Sequence, residues 1–373
     1  MTSTPERTGT AQATVAEVPR GVRSAPSRRI WPGVLGLVAV IALTALLGSP
    51  TQLRSAILVV CYAIAAIGLS VLAGTTRIVN LGVAAFFGLG AFVCAALLPV
   101  VELPVALVAA AAAGMVLGLV TAPIAGRLTG VFMAILTIGL TLLAQHVFRI
   151  LPGWTGGTAG RTVAAPIVGG IRVDRDVVVG GATVSGEVGY LLVCSLVLVL
   201  VVVATSNLLR SRIGRALNTL ATSPVAARSF GINPARLRST AFLYSSALAA
   251  VGGGLFAGYS GFVTYEQFNV ELSIELLAVV VLGGLGSVYG VLLAALVLVG
   301  LPELVLALHH WLPFIAPAGS TDGITAEQFS AVLFGVALAV VMVVEPGGLA
   351  GLARRGAPRI RSVLPLHHTR SAR

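Results

Sequence analysis

An all-α integral membrane protein of about ten transmembrane or partly broken helices is the fold the sequence predicts, and three observations predict it. Hydrophobic residues make up 57% of the 373 residues and charged residues only 10%, a balance that leaves a water-soluble domain too little polar surface. Apolar runs recur near 30–48, 55–73, 79–98, 103–122, 129–151, 188–207, 239–258, 273–289, 290–308 and 328–344, each close to the roughly 20 residues that cross a bilayer as helix. The third observation is where the charge sits.

All 24 basic residues are arginine. With the N-terminal tail placed inside, nineteen of them fall in segments predicted to be cytoplasmic, and Arg54, Arg149, Arg161, Arg172 and Arg175 remain outside, as positive-inside sorting expects. The net charge of +11 is therefore topological information. It does not gather into a basic stripe with interleaved aromatics, so nucleic acid is not a predicted partner. Both termini are expected in the cytoplasm.

Residues 1–29, rich in Thr, Ser, Pro and Arg, read as a disordered cytoplasmic tail, residues 30–348 as the transmembrane domain, and 349–373 as a basic cytoplasmic tail. The outer loop 152–187 contains a Val-rich tract with Gly169-Gly170 and Gly180-Gly181 between runs, which predicts a small β-hairpin. It could cover the bundle or dock an outer partner. Cys61, Cys94 and Cys194 all lie in apolar runs without metal-ligand spacing, so packed thiols are expected and neither a disulfide framework nor a metal site. No cofactor motif and no Ser-His-Asp or paired-carboxylate constellation of credible spacing occurs. Gly283-Gly284-Leu285-Gly286 reads as a helix break; the chain has no lysine with which to build a nucleotide loop.

The cytoplasmic segment 208–238 carries the most local punctuation. Ser223 can cap a helix whose first residue is Pro224, where the missing amide hydrogen costs nothing. Gly231 can end it in the left-handed conformation, and Asn233-Pro234 can cap and begin the next span. The product is a helix of about two turns, far too short to cross a membrane. Ala226 and Ala227 predict a face of little bulk that another protein could approach; a plain connecting loop has the same spacing.

Inside the apolar runs, ionisable residues cost about 2.5–3.5 kcal/mol on insertion scales, so the few present invite a functional reading. Glu102 and Glu275 are expected near span ends, and Glu303, beside Pro302, deeper at a kink, either paired within it or gating. Asn80 followed by Phe86, Phe87 and Gly88 predicts an interrupted helix, facing a cavity or packed tightly inside. Together, Asn80, Phe86, Phe87, Gly88 and Glu303 form the candidate substrate path. Ala249, Gly253 and Ala257, and then Ala250, Gly254 and Gly258, form two small-residue rows for backbone-to-backbone packing.

Importer permeases of the ATP-binding-cassette (ABC) class carry a loop of the form Glu-Ala-Ala, three residues, Gly. Val225-Ala226-Ala227-Arg228-Ser229-Phe230-Gly231 has that spacing, with Val in the Glu position. The run SRIGRALNTLATSPVAARSFGINPARLRSTAF, from Ser211 to Phe242, resembles the corresponding block of branched-chain amino acid ABC permeases, in particular the medium, M-type subunit. So does IELLAVVVLGGLGSVYGVLLAALVLVGLPELV, from Ile274 to Val305. Weaker similarities occur in NLGVAAFFGLGAF, GVFMAILTIGL and TGGTAG, and the whole extends over about 55–345. The chain departs from the family at Asn80, where Ser is usual, at Val83, where His or Gln is, and at Glu345.

The resemblance implies a multi-pass protein of a bacterial cell membrane, without an ATPase of its own. Its implied partners are ABC ATPase subunits, a second permease subunit, an extracytoplasmic solute-binding protein and membrane lipid. Coupling would run through Arg212, Gly214, Arg215, Pro224, Ala226, Ala227, Gly231 and Asn233, with Arg212 and Arg215 anchoring the inner interface and anionic lipid. A midplane nearly free of fixed charge favours a zwitterionic or neutral solute. Branched-chain amino acids fit this, with urea and short amides as the alternative and a secondary transporter as the runner-up class.

Overall fold

The computed structural model describes residues 50–125, 130–173, 177–179, 182–307, 326–344 and 348–351. The first apolar run and most of both tails lie outside these residues. Apart from the single turn Pro152–Thr155, the α-helices in chain order are α1 (Pro50–Thr76), α2 (Val83–Leu97), α3 (Leu103–Ala125), α4 (Val131–Ile150), α5 (Gly186–Arg210), α6 (Arg212–Thr222), α7 (Pro224–Ser229), α8 (Pro234–Ser260), α9 (Val270–Gly283), α10 (Val288–Ala307) and α11 (Ala326–Val344). Five of them, α1, α3, α4, α5 and α8, are long and apolar enough to cross a membrane. The expected 79–98 run becomes a 15-residue helix that starts only at Val83, and the 273–289 run is broken after Gly283 as its glycines predict. "Outer" and "inner" below follow the orientation expected from the arginines.

Helix α8 is the axis of the bundle, packed on three sides by α1, α2 and α3. In lipid no hydrophobic force drives helices together, so close van der Waals contact between small residues has to do it. The two rows read from the sequence are that contact. A methyl group built on Gly253 would collide with the Phe87 carbonyl, and one on Gly90 of α2 with the Ala250 carbonyl. On the α1 side, Gly252 would place a Cβ 2.7 Å from the Cys61 carbonyl oxygen, and on the α3 side Gly114 would place one 2.7 Å from that of Ser246. Ala249, Ala250 and Ala257 are fully buried. Toward the outer side the bundle is filled by aromatics, with Phe268 at the hub of Phe87, Phe92, Phe148 and Phe256.

The outer loop forms two hairpins among the described residues where the sequence predicted one. Strands β2 (Ile167–Val168) and β3 (Ile171–Arg172) pair antiparallel across Gly169-Gly170, whose φ angles of 57° and 79° are those of the two-residue turn that matches strand twist. Strands β4 (Val177–Val179) and β5 (Ala182–Val184) form the second. Glu102, at the start of α3, holds the first turn: its carboxylate accepts from the amides of Gly169 at 3.0 Å and Gly170 at 3.1 Å. A third ladder joins β1 (Arg161–Thr162) to β6 (Phe262–Val263), immediately after α8, and ties the loop to the axial helix. A single cysteine at Thr222, with the three buried native thiols replaced, should label from the cytoplasm. One at Val168 should label from outside, and labelling of both from one side would mean that the ten-span count is wrong.

Candidate coupling segment and membrane path

The chain leaves α5 at Arg210 and turns back at once into α6. Gly214 permits the turn, because a Cβ there would overlap the Leu208 and Leu209 carbonyls; the Ser211 hydroxyl accepts from the Gly214 amide at 3.3 Å. Helix α6 buries Leu217, Leu220 and Ala221 and turns Arg212 and Arg215 to the surface. Arg215 donates to the Arg210 carbonyl at 3.0 Å, which satisfies an orphan oxygen at the α5 end.

Each predicted cap of α7 is present. The Ser223 hydroxyl accepts from the Ala226 amide at 3.2 Å, and Pro224 occupies the first turn. At the other end Gly231 stands at φ 71°. The Gly231 amide donates to the Arg228 carbonyl at 2.9 Å and the Ile232 amide to the Ala227 carbonyl at 3.0 Å, the paired bonds of a Schellman motif. Asn233 then caps α8, its side-chain oxygen accepting from the amides of Ala235 at 3.0 Å and Arg236 at 3.3 Å.

The exposed face of α7 differs from the expected one. Ala227 is fully buried and Ala226 half-buried. Their small size serves the chain's own packing, since it lets α7 lie against α6 and the start of α8. What projects is Val225, 72% exposed, and Phe230, 76% exposed, with Arg228 and Ser229 between them. These bare apolar side chains on a polar inner loop, with Ile213 of α6 at 42% exposure as a third, are the signal that sequence reasoning missed. The next hollow along this surface, about 630 Å³, is lined by Arg228, Gly231, Ile232, Asn233, Pro234 and Arg238.

Residues 77–82 between α1 and α2 are not helical, and irregular backbone that enters the bundle needs partners from the protein. Helix α4 supplies them: the Thr137 hydroxyl accepts from the Leu81 amide at 3.0 Å, and the Thr141 hydroxyl donates to the Leu81 carbonyl at 3.1 Å. Ser273 of α9 accepts from the Ala84 amide at 3.0 Å. Asn80 is 1% exposed. Its oxygen accepts from the Gly82 amide, while its Nδ2 has no partner. Phe86 and Phe87 are buried, Phe86 edge-on to Phe242 and Phe87 to Tyr62; a Cβ on Gly88 would meet the Phe268 and Phe148 rings. Asn80, Phe86, Phe87 and Gly88 are thus all buried inside the bundle. Glu303 lies in α10, remote from them in sequence, and its side chain falls outside the described residues.

Glu275 is not near a span end. Phe268 runs into the aromatic core, so α9 begins deep in the bundle, capped by the Asn269 side chain. Glu275, in its second turn, lies within electrostatic reach of Tyr62, close to the middle of α1. At the outer mouth, a cavity of about 470 Å³ is lined by Tyr190 and Tyr259 and by Arg54 and Glu187, the last two joined in an ion pair at 2.9 Å.

Residues 52–343 match the family described as branched-chain amino acid transport system / permease component. The chain is 32% identical over 318 residues to the high-affinity branched-chain amino acid transport system permease protein LivM of Escherichia coli (strain K12), covering 80% of this chain and 70% of that one. It is also 32% identical to LivM of Salmonella typhimurium, over 79% of this chain and 68% of the relative. To a probable permease protein LivH of Methanocaldococcus jannaschii it is 25% identical, over 80% of this chain and 90% of the relative. No solved structure matches. With its multi-helix apolar bundle and capped inner segment, the chain belongs to the branched-chain amino acid transport system permease family.

Proposed function

We propose that this chain, a permease subunit of an ABC importer, forms with a second permease the membrane pathway for branched-chain amino acids. Solute would be handed over by an extracytoplasmic binding protein, and energy would come from separate ATPase subunits seated on α7. The observation that carries this reading is α7 itself. Capped at both ends and held on α6, it presents Val225 and Phe230 outward. A rigid short helix with two exposed apolar anchors suits a motor domain that must push without slipping. Residues 152–187 would face the binding protein, and both termini the cytoplasm.

The test is reconstitution in proteoliposomes. The assembled complex with its binding protein should hydrolyse ATP in response to leucine and accumulate leucine, while the purified chain alone hydrolyses none. Hydrolysis by the chain alone would remove the permease role. Stimulation by urea and not by leucine would change the solute.

A further inference from the structure

We propose that Glu275 receives the ammonium group of the solute, at the foot of a lane that descends from the outer face between α1 and α9; this deepens the importer reading and rests on it. The lane is visible in the pattern of exposure. On α1, Leu58, Val59 and Tyr62 are partly open, whereas every residue from Ala63 to Ala73 is buried. The open face of α1 therefore ends at Tyr62, about halfway along the helix. On α9, Glu271 and Ile274 are exposed and Glu275 half-exposed, while Leu272, Ser273 and Leu276 on the other side are buried against the bundle. The two helices are in contact, and Ser273, two residues before Glu275, accepts from the Ala84 amide at the start of α2, which puts Glu275 well inside the bundle and within electrostatic reach of Tyr62.

Glu275 has neither a hydrogen bond nor an ion pair among the described residues. A carboxylate held at membrane depth is costly, and it persists where it serves a ligand or a pathway. The surroundings select the ligand. Tyr62, held edge-on by the buried Phe87, offers aromatic surface to a cation, and Val59 and Ile274 offer aliphatic surface. Glu271, one turn outward, adds negative potential along the approach. A solute with one ammonium group and an aliphatic side chain answers all of these features; urea and short amides carry no charge for Glu275 to meet. A basic residue of the second permease would answer only the charge.

The experiment uses the reconstituted complex, with Glu275→Gln and Glu275→Asp and, separately, a cysteine at Ile274 as reporter. Glu275→Gln should lower leucine uptake by at least about tenfold, the loss expected when one partner of a desolvated charge pair is neutralised, and Glu275→Asp should recover part of it. Leucine should slow modification of the Ile274 cysteine by a thiol reagent, and 4-methylpentanoate, the same aliphatic acid without the ammonium group, should not. Adding Glu275→Gln should abolish the protection. Unchanged uptake in Glu275→Gln, or equal protection by both compounds, overturns the proposal. Failure of Glu275→Gln to co-purify with the second permease also overturns it, since the carboxylate would then be a subunit contact. A wild-type complex that does not transport leucine rejects the importer reading instead.

Discussion

Phe230→Arg and Gly231→Val should each cut leucine uptake per ATP hydrolysed by about tenfold while leaving the chain in the membrane. The figure assumes that the exposed ring behaves as a buried interface anchor, whose loss costs at least about 1–2 kcal/mol. Phe230 is 76% exposed in the isolated chain, so its replacement disturbs nothing inside it. Gly231 acts differently. No atom lies near its missing Cβ, so the penalty for Val is purely that of φ 71°, about 1–2 kcal/mol for a side-chain-bearing residue in the left-handed region. A six-residue helix held by two Schellman bonds cannot absorb that without losing its end. Gly231→Asn, which tolerates the conformation, should restore most of the coupling. Parallel measurement of uptake and hydrolysis on one preparation checks both. Normal stoichiometry in Phe230→Arg and Gly231→Val would mean that α7 is only a connection. Ala227→Arg is the poorer probe: it would lever α7 off its own support and report folding.

Gly253→Leu should prevent the bundle from closing. The first carbon of the new side chain would coincide with the Phe87 carbonyl, and neither axis can yield because α8 is gripped by α1 and α3 as well. Overpacking of this kind costs about 1–3 kcal/mol in soluble cores and more where backbone must move. The expected outcome is loss of the chain from the membrane fraction or of its thermal transition in detergent. Gly139→Ala is the control. It adds the same first carbon in a helix, but into open space, and should leave level and transition unchanged.

The caps of α7 and α8 were legible in the sequence because they depend on neighbours only. Ser223 before Pro224, Gly231, and Asn233 before Pro234 each carry their geometry in their own chemistry, whatever packs around them. The small-residue rows of α8 were legible for the same reason, since spacing alone places them on a face. Which way α7 points was not. Ala226-Ala227 predicts a small face equally well for a partner or for the chain itself, and only the position of α6 decides. The depth of Glu275 was hidden by the logic of apolar runs, which counts residues from where a run begins and cannot see that Phe268 carries the chain inward before the helix starts. The second outer hairpin was missed because one Val-rich tract with two Gly pairs can fold once or twice.

Helix α8 runs unbroken for 27 residues, about 40 Å at the helical rise. At its inner end only Phe230 to Asn233 separate it from α7, and that stretch is locked by the Schellman bonds and the Asn233 cap. At its outer end Gly261 leads directly into β6, which is laddered to Arg161–Thr162. α8 is therefore one continuous helical link between α7 at one end and the outer loop at the other. A shift or tilt imposed on α7 is passed along this helix to the outer loop, its Gly252-Gly253-Gly254 middle braced by the close contacts with Cys61, Phe87 and Cys94. By the same geometry, a load placed on the outer loop is carried back along the helix to α7.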